Sequence, residues 1–442
     1  MSRLLKAAYY KEKLNSGNKK ELVFDSMKAI FIRVGSAVSL FLMNLVVARR
    51  LGSSNSGVFF LCFAVITVLA TLVRMGGDNL MVKYVGIYGS EGKWKTAKLV
   101  VSVMSKRIFL FASVITALLI LFHTAIAKDI FHKETIAETL FWMLLSMPLL
   151  AIYTLVAFGF QGLKKVLISV SIQNIIVPVT LSALVFVFKP DNSVDLAMLY
   201  FISSAFTVIL TLFLWQRIAP KGCADEEAIL PDNFWKSSYA MWSFAIVQMA
   251  TQWAGQFIAG IYCAQKQLGQ LAVAQRTSML ISFILVAINL VSAPKFASLY
   301  KQGKGENLKR YAINTTRLMV LFSTPIVLVI LCFPRYIMTL FGPGFADGAP
   351  MLFVFALGQY VNVLTGSVTL LLMMSGHERD MRNLQIFIGI FCIILNLILV
   401  RTNGAFGAAL ATAISIAVQN LICAGIVKKR LGFNTLAIWS RS

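Results

Sequence analysis

The chain has 442 residues, of which 58% are hydrophobic and 13% charged, and its mean hydropathy is +0.78. A soluble domain is roughly 45–50% apolar and about 25% charged, so too few polar residues are present to cover a water-soluble surface, and the same numbers exclude disorder. A net charge of +23 would suggest nucleic acid in a soluble protein, but in a polytopic membrane protein basic residues mark the cytoplasmic connections, and no nucleic-acid partner is expected.

Residues 1–26 are polar and basic, lack the apolar core of a signal peptide, and read as a cytoplasmic segment. Runs of about 20 apolar residues, the length of a spanning helix, then follow at 27–48, 55–74, 107–127, 137–160, 166–188, 196–216, 238–262, 270–292, 317–333, 350–374, 385–400 and 405–427. Lys and Arg alternate along the connections. Those in the N-terminus, the even-numbered connections and the C-terminus outnumber those in the odd-numbered ones by roughly four to one, which places both termini in the cytoplasm and supports about twelve spans. The connections around 75–106 and 293–316 are basic and partly amphipathic, suited to rest on anionic headgroups.

Three landmarks recur at nearly one offset: Gly57 and Gly269, Gly162 and Gly376, Ile130-Phe131 and Leu340-Phe341. They suggest two six-helix lobes of the same topology related by an axis along the membrane normal, as in parallel-repeat transporters. The expected organisation is an N-lobe at 27–216, a linker at 217–237 with Pro220, Gly222 and Pro231, a C-lobe at 238–427 and a cytoplasmic tail at 428–442. The fold class is thus an all-α polytopic membrane protein, two lobes around a central cationic cavity.

Charges within spans are costly and mark function by default. Arg33 and Arg276 each lie about six residues into an apolar run, some ~9 Å deep at about 1.5 Å per residue. No carboxylate falls well inside any span. Asp78 stands just beyond the second and is placed to pair with Arg74, either as an ion pair or as a coupling group. Gln248, Gln252 and Gln256 recur every four residues and share one helical face. Arg33 and Asn44 share another, and Asn289, Gln359, Asn362 and Asn396 add amides in later spans. Amides can simply join helices in lipid. Together with two arginines they suggest an aqueous cleft, since amides both donate to and accept from sugar hydroxyls and arginine grips phosphate bidentately. The candidate substrate-binding set is therefore Arg33, Asn44, Arg74, Gln248, Gln252, Gln256, Arg276, Asn289, Gln359, Asn362 and Asn396. The six cysteines and three histidines show no metal-ligand spacing, so no metal, cofactor or disulfide framework is indicated.

Several stretches resemble the bacterial polysaccharide flippases of the O-antigen (Wzx) type. They are Ala48-Arg49-Arg50-Leu51-Gly52 with Ser56-Gly57-Val58-Phe59; Gly269-Gln270-Leu271-Ala272-Val273-Ala274-Gln275-Arg276; Phe341-Gly342-Pro343-Gly344-Phe345-Ala346 with Gly348-Ala349-Pro350; Gly358-Gln359-Tyr360-Val361-Asn362; and Asn396 with Gly404-Ala405-Phe406-Gly407 through Thr412. The resemblance runs from about residue 28 to 427. It implies a transporter of the superfamily that holds lipid II flippases and multidrug exporters, not an enzyme, working as a single-chain unit in the bacterial inner membrane. It further implies a substrate of undecaprenyl-diphosphate-linked oligosaccharide for lipopolysaccharide or another surface glycan, with a polysaccharide polymerase and a chain-length regulator as partners. Gln256 stands where many relatives carry Asp, which argues against ion coupling at that position. A multidrug or cation exporter would need buried carboxylates. A membrane glycosyltransferase would need an acidic cluster on a sizeable loop, and a scaffold would leave the buried arginines without a role.

Overall fold

A computed structural model describes residues 2–219, 242, 249 and 251–436, without the side chains of 2–30, 294 and 378. Gln248 and most of the 217–237 linker lie outside the described residues. Among those described there is no strand, as expected where lipid offers the backbone no hydrogen bonds and each segment must satisfy its own. The longer helices are α1 (Ser2–Val73), α2 (Gly77–Ser90), α3 (Trp94–Leu121), α4 (Ala137–Gly162), α5 (Val166–Phe188), α6 (Ser193–Ile218), α7 (251–262), α8 (Gln265–Lys301), α9 (Gly305–Cys332), α10 (Ala349–Thr365), α11 (Val368–Met374) and α12 (Glu378–Leu431).

Nine segments among the described residues are long and apolar enough to cross a bilayer, and two of them, Phe31–Val73 and Arg379–Leu431, run to 43 and 53 residues. Neither is one rod. α1 breaks at Gly52 (φ 69°, ψ −178°), a left-handed backbone that glycine adopts at no steric cost. Arg276 touches both Asn44 and the Phe60 ring. On a straight helix those two positions would stand ~24 Å apart, so the arms fold back on each other. α12 breaks likewise at Gly404 (φ 57°, ψ −140°). Across it Gln419 bonds Gln385 at 3.3 Å and Arg430 bonds Asp380 at 2.9 Å. The candidate spans at either side of each break are therefore antiparallel pairs.

Other segments depart from the expected boundaries. The connection expected at 75–106 is mostly helix: α2 buries Gly77, Leu80, Met81, Tyr84 and Val85, and α3 begins at Trp94. The candidate span at 350–374 is divided at Gly366 (φ 74°), where a β-carbon would overlap the Thr316 hydroxyl. Glycine at this point permits both the positive φ and the close approach of α9.

α1 to α6 pack as one lobe. Thr139 and Ser193 bond at 2.8 Å, the Phe160 and Trp215 rings meet edge to face at 5.1 Å, and Arg50 closes the α1 turn on Lys189 O and Asp191. α7 to α12 form the other, tied by Ser367 to Asn289 at 2.5 Å, Ser282 to Gln359, and Arg401 to Tyr262. Outward faces carry apolar stripes such as Phe387, Ile390, Ile394 and Ile398, each more than half exposed, as suits side chains immersed in lipid. The end of the bundle bearing the Gly52 and Gly404 turns is the hairpin end; the opposite, terminal end holds the start of α1 and the finish of α12.

Candidate binding cavity

The lobes close on each other at the hairpin end. Gly57 of α1 and Gly269 of α8 lie in reciprocal contact. A β-carbon on Gly57 would overlap the Gln265 carbonyl oxygen and stand 2.7 Å from the Gly269 nitrogen, and one on Gly269 would overlap the Ser53 carbonyl oxygen. Small residues let backbones approach this closely in lipid, where packing rather than the hydrophobic effect joins helices. Gln265 donates to Thr135 at 2.6 Å and accepts from Ser54 at 3.1 Å. Lys133 donates to Gly260 O at 2.5 Å, in the last turn of α7, where a cation complements the helix dipole. Burial pushes the Lys133 ammonium below its ordinary pKa, and nearby Cys263 offsets this in part. Near the terminal end, Trp242 donates to Leu72 O at 2.8 Å.

Between these contacts lie two adjoining cavities. The first, about 170 Å³, is lined by Ala37, Leu40, Asn44 and Phe63 of α1, Gln252 and Trp253 of α7, and Gln275, Arg276 and Met279 of α8, among others. The second, about 480 Å³, shares Gln252, Gln275 and Met279 with it and extends into the C-lobe past Gln359, Asn362, Gln385, Gln419 and Asn420. Of the described residues lining either, only Arg276 is charged, and no carboxylate is among them.

Arg276 sits where the lobes meet. Its Nη1 donates to Asn44 Oδ1 at 2.9 Å, and its guanidinium lies 4.0 Å from the Phe60 ring centroid and 5.3 Å from that of Phe63. Nη2 is buried and has no hydrogen-bond partner among the described residues. A buried cation with an open donor costs free energy unless an acceptor arrives, so the geometry suits an anion at this point. The aromatic faces supply partial compensation.

The other candidate residues separate into those on the cavity and those off it. Asn44, Gln252, Gln359 and Asn362 line it. Arg33 does not, but it stands one turn from Ala37 on the helical face that continues through Leu40 and Asn44; it is half-buried, and its Nε has no hydrogen-bond partner among the described residues. Gln256 is buried and donates across the lobe boundary to Phe60 O at 3.1 Å. Arg74 and Asp78 form an ion pair at 2.7 Å within the N-lobe, with Thr71 accepting from Arg74 Nη2 at 3.0 Å. Asn289 and Asn396 are engaged inside the C-lobe, with Ser367 and with Cys392 O at 2.8 Å respectively. Gln275, Gln385, Gln419 and Asn420 line the cavity although sequence reasoning did not single them out. Their signal was present, as amides within apolar runs.

Residues 29–300 match the family described as polysaccharide biosynthesis protein, and 244–400 match MatE. No curated protein sequence matches. Among solved structures, the lipid II flippase MurJ in an inward closed conformation is similar at 15% identity and TM-score 0.70, over 92% of this chain and 87% of that one. A multidrug resistance MATE family transporter in its inward-facing conformation is similar at 15% identity and TM-score 0.68, over 93% of this chain and 100% of that one. A Pyrococcus furiosus MOP superfamily transporter, whose structure was described in terms of a binding pocket of reverse polarity, is similar at 15% identity and TM-score 0.67, over 96% of this chain and 97% of that one. These likenesses establish the two-lobed fold of MOP superfamily transporters. The family match spans more than half of the sequence, and the chain belongs to the polysaccharide biosynthesis protein family.

Proposed function

We propose that the chain is a flippase that carries an undecaprenyl-diphosphate-linked oligosaccharide from the cytoplasmic to the outer leaflet by alternating access. The reading rests on one observation: a cavity that offers one open guanidinium donor at Arg276 and a wall of amides, with no carboxylate among its described lining residues. The cation serves a diphosphate, the amides serve sugar hydroxyls, and a polyprenyl tail need not leave lipid. The hairpin end is then the outer side and the terminal end the cytoplasmic one, in keeping with the basic connections. The membrane is the bacterial inner membrane, and the product feeds a polymerase and chain-length regulator that build a lipopolysaccharide O-antigen or a related glycan.

The match to MatE over 244–400 favours a second reading, a multidrug or cation exporter. A cationic drug needs a carboxylate or an electron-rich surface free of a competing cation, and Arg276 occupies that position. Deleting the gene distinguishes the two. The flippase reading expects lipid-linked repeat units to accumulate on the inner leaflet as surface glycan is lost; unchanged surface glycan together with new sensitivity to cationic dyes would overturn it.

A further inference from the structure

The C-lobe cavity contains more than a generic sugar site requires. Its volume of about 480 Å³ falls among small-molecule pockets, yet its polar lining is uncharged throughout the described residues. Gln419 donates to Gln385 at 3.3 Å, Gln385 reaches Thr251 at 3.5 Å, and Asn420 donates to Ile416 O at 2.9 Å. These bonds hold part of the wall in a fixed arrangement. Gln252, Gln275 and Asn362 make no side-chain hydrogen bond among the described residues and line the same space. Each leaves an amide with two donors and an acceptor unused.

Such a wall rewards groups that both donate and accept, and hydroxyls and acetamides do so. It penalises charge. A carboxylate or ammonium drawn into this space gives up hydration and meets no opposite charge, and that loss is large when no ion pair replaces it. The cation that could balance a carboxylate, Arg276, lies in the adjoining cavity across the shared residues Gln252, Gln275 and Met279, where a diphosphate takes it. A molecule whose diphosphate meets Arg276 has its first sugars beside that shared wall.

We propose that the amide-lined C-lobe cavity is a specificity site for uncharged saccharides, so that the transported glycan carries neutral hexoses or N-acetylated amino sugars next to its diphosphate and not uronic acids or free amino sugars. The inference rests on the flippase reading and narrows its substrate class. The cavity selects by excluding charge, a penalty against the wrong partner that separates affinities as added attraction to the right one does.

The test uses the full chain in proteoliposomes with two probes: a polyprenyl-diphosphate trisaccharide of neutral hexoses, and the same lipid with its second hexose replaced by the corresponding hexuronic acid. Leaflet movement is read by the loss of label to an impermeant glycosidase or quencher. The neutral probe is expected to cross at least about tenfold faster. Gln419→Lys and Gln252→Lys place an ammonium in the cavity and are expected to narrow or invert that ratio. Equal rates for the two probes with the wild-type protein would overturn the inference and leave the flippase reading standing. So would a neutral preference that persists unchanged in whichever lysine variant keeps its thermal unfolding. Failure to move either probe overturns the flippase reading itself.

Discussion

Arg276 is the residue on which the account turns. Its Nη2 is buried without a hydrogen-bond partner among the described residues, and its Nη1 holds Asn44 across the lobe boundary. Replacing a buried ion pair by apolar groups of similar volume is often neutral or stabilising by about 1–4 kcal/mol, and among the described residues removal of Arg276 strands no opposite charge. Arg276→Met is therefore expected to leave the unfolding temperature unchanged or raised while transport falls at least tenfold; a lowered unfolding temperature with normal transport would make Arg276 a structural residue only. Arg74 and Asp78 show the contrasting pattern. Their side chains are 9% and 21% exposed and are paired to each other, so Asp78→Ala strands a buried arginine and is expected to cost about 3 kcal/mol. The double change Arg74→Met with Asp78→Leu should recover most of that in thermal unfolding, whereas a coupling role for Asp78 would leave the double variant stable and inactive. The sequence made Arg276 legible because arginine inside an apolar run has few bland explanations. It could not separate Gln252 from Gln256, which share a helical face. α7 passes from the cavity at the first to the lobe boundary at the second, where Gln256 meets Phe60 O, and that depends on where another helix lies. Gln385, Gln419 and Asn420 were visible only as amides in apolar runs, and an amide in such a run does not reveal which neighbour it faces.

The elements that close the hairpin end are two glycine-bearing helix starts and one lysine. At Gly57 and at Gly269 an added methyl would overlap a carbonyl of the opposite helix, and overpacking of this kind costs about 1–3 kcal/mol. Gly57→Ala and Gly269→Ala are each expected to shift the protein toward a state open at the hairpin end, read as a longer distance between spin labels on the α1 and α8 turns. Gly35→Ala is the control: its β-carbon would meet nothing within 4 Å, and no shift is expected. Lys133→Met removes the bond to Gly260 O. Allowing for solvent screening, that bond contributes about 1 kcal/mol, so a population change of about fivefold in the same direction is expected; an unchanged distance distribution would show that the lysine does not hold the end closed. Because burial lowers the Lys133 pKa in the closed state, the closed state binds fewer protons than the open one. Closure should therefore strengthen as pH rises between that lowered value and the ordinary lysine value of about 10.4. The helix breaks were legible at this scale. Gly52 and Gly404 end apolar runs that together exceed one bilayer, and a glycine at such a point permits the left-handed turn the structure uses. The Gly57–Gly269 contact was seen only as a repeat in the sequence; that the repeats touch follows from the packing of the lobes. α2 was read as a connection because its buried face, from Leu80 to Val85, is too short and too interrupted by polar residues to resemble a span.

Over the whole molecule, the lobes meet tightly at the hairpin end and enclose a cavity whose described lining has one cation and no carboxylate. On the flippase reading, with no carboxylate among the described lining residues to carry a coupling proton, the driving force acts on the substrate. A diphosphate carries roughly two negative charges, and each is worth about 2.3 kcal/mol per 100 mV. With the cell interior negative, outward movement runs downhill by about 4–5 kcal/mol per 100 mV if both charges cross the full field. Transport is therefore expected to follow membrane potential clamped with valinomycin and potassium, and to persist when the pH gradient alone is collapsed; the opposite dependence would point to proton coupling through a group such as Asp78. The all-helical, two-lobed membrane organisation was legible from hydropathy and repeats because each is a property of long segments. The division of the cavity into a cationic part and an amide part was not, because it is made by side chains from six helices that only the fold brings together. The most direct measurement reconstitutes the purified chain in vesicles with a fluorescent polyprenyl-diphosphate oligosaccharide in one leaflet and follows its arrival in the other. The account predicts crossing with the wild-type protein that Arg276→Met removes at equal protein content, whereas crossing that is indifferent to Arg276, or no crossing with the wild-type protein, would contradict it.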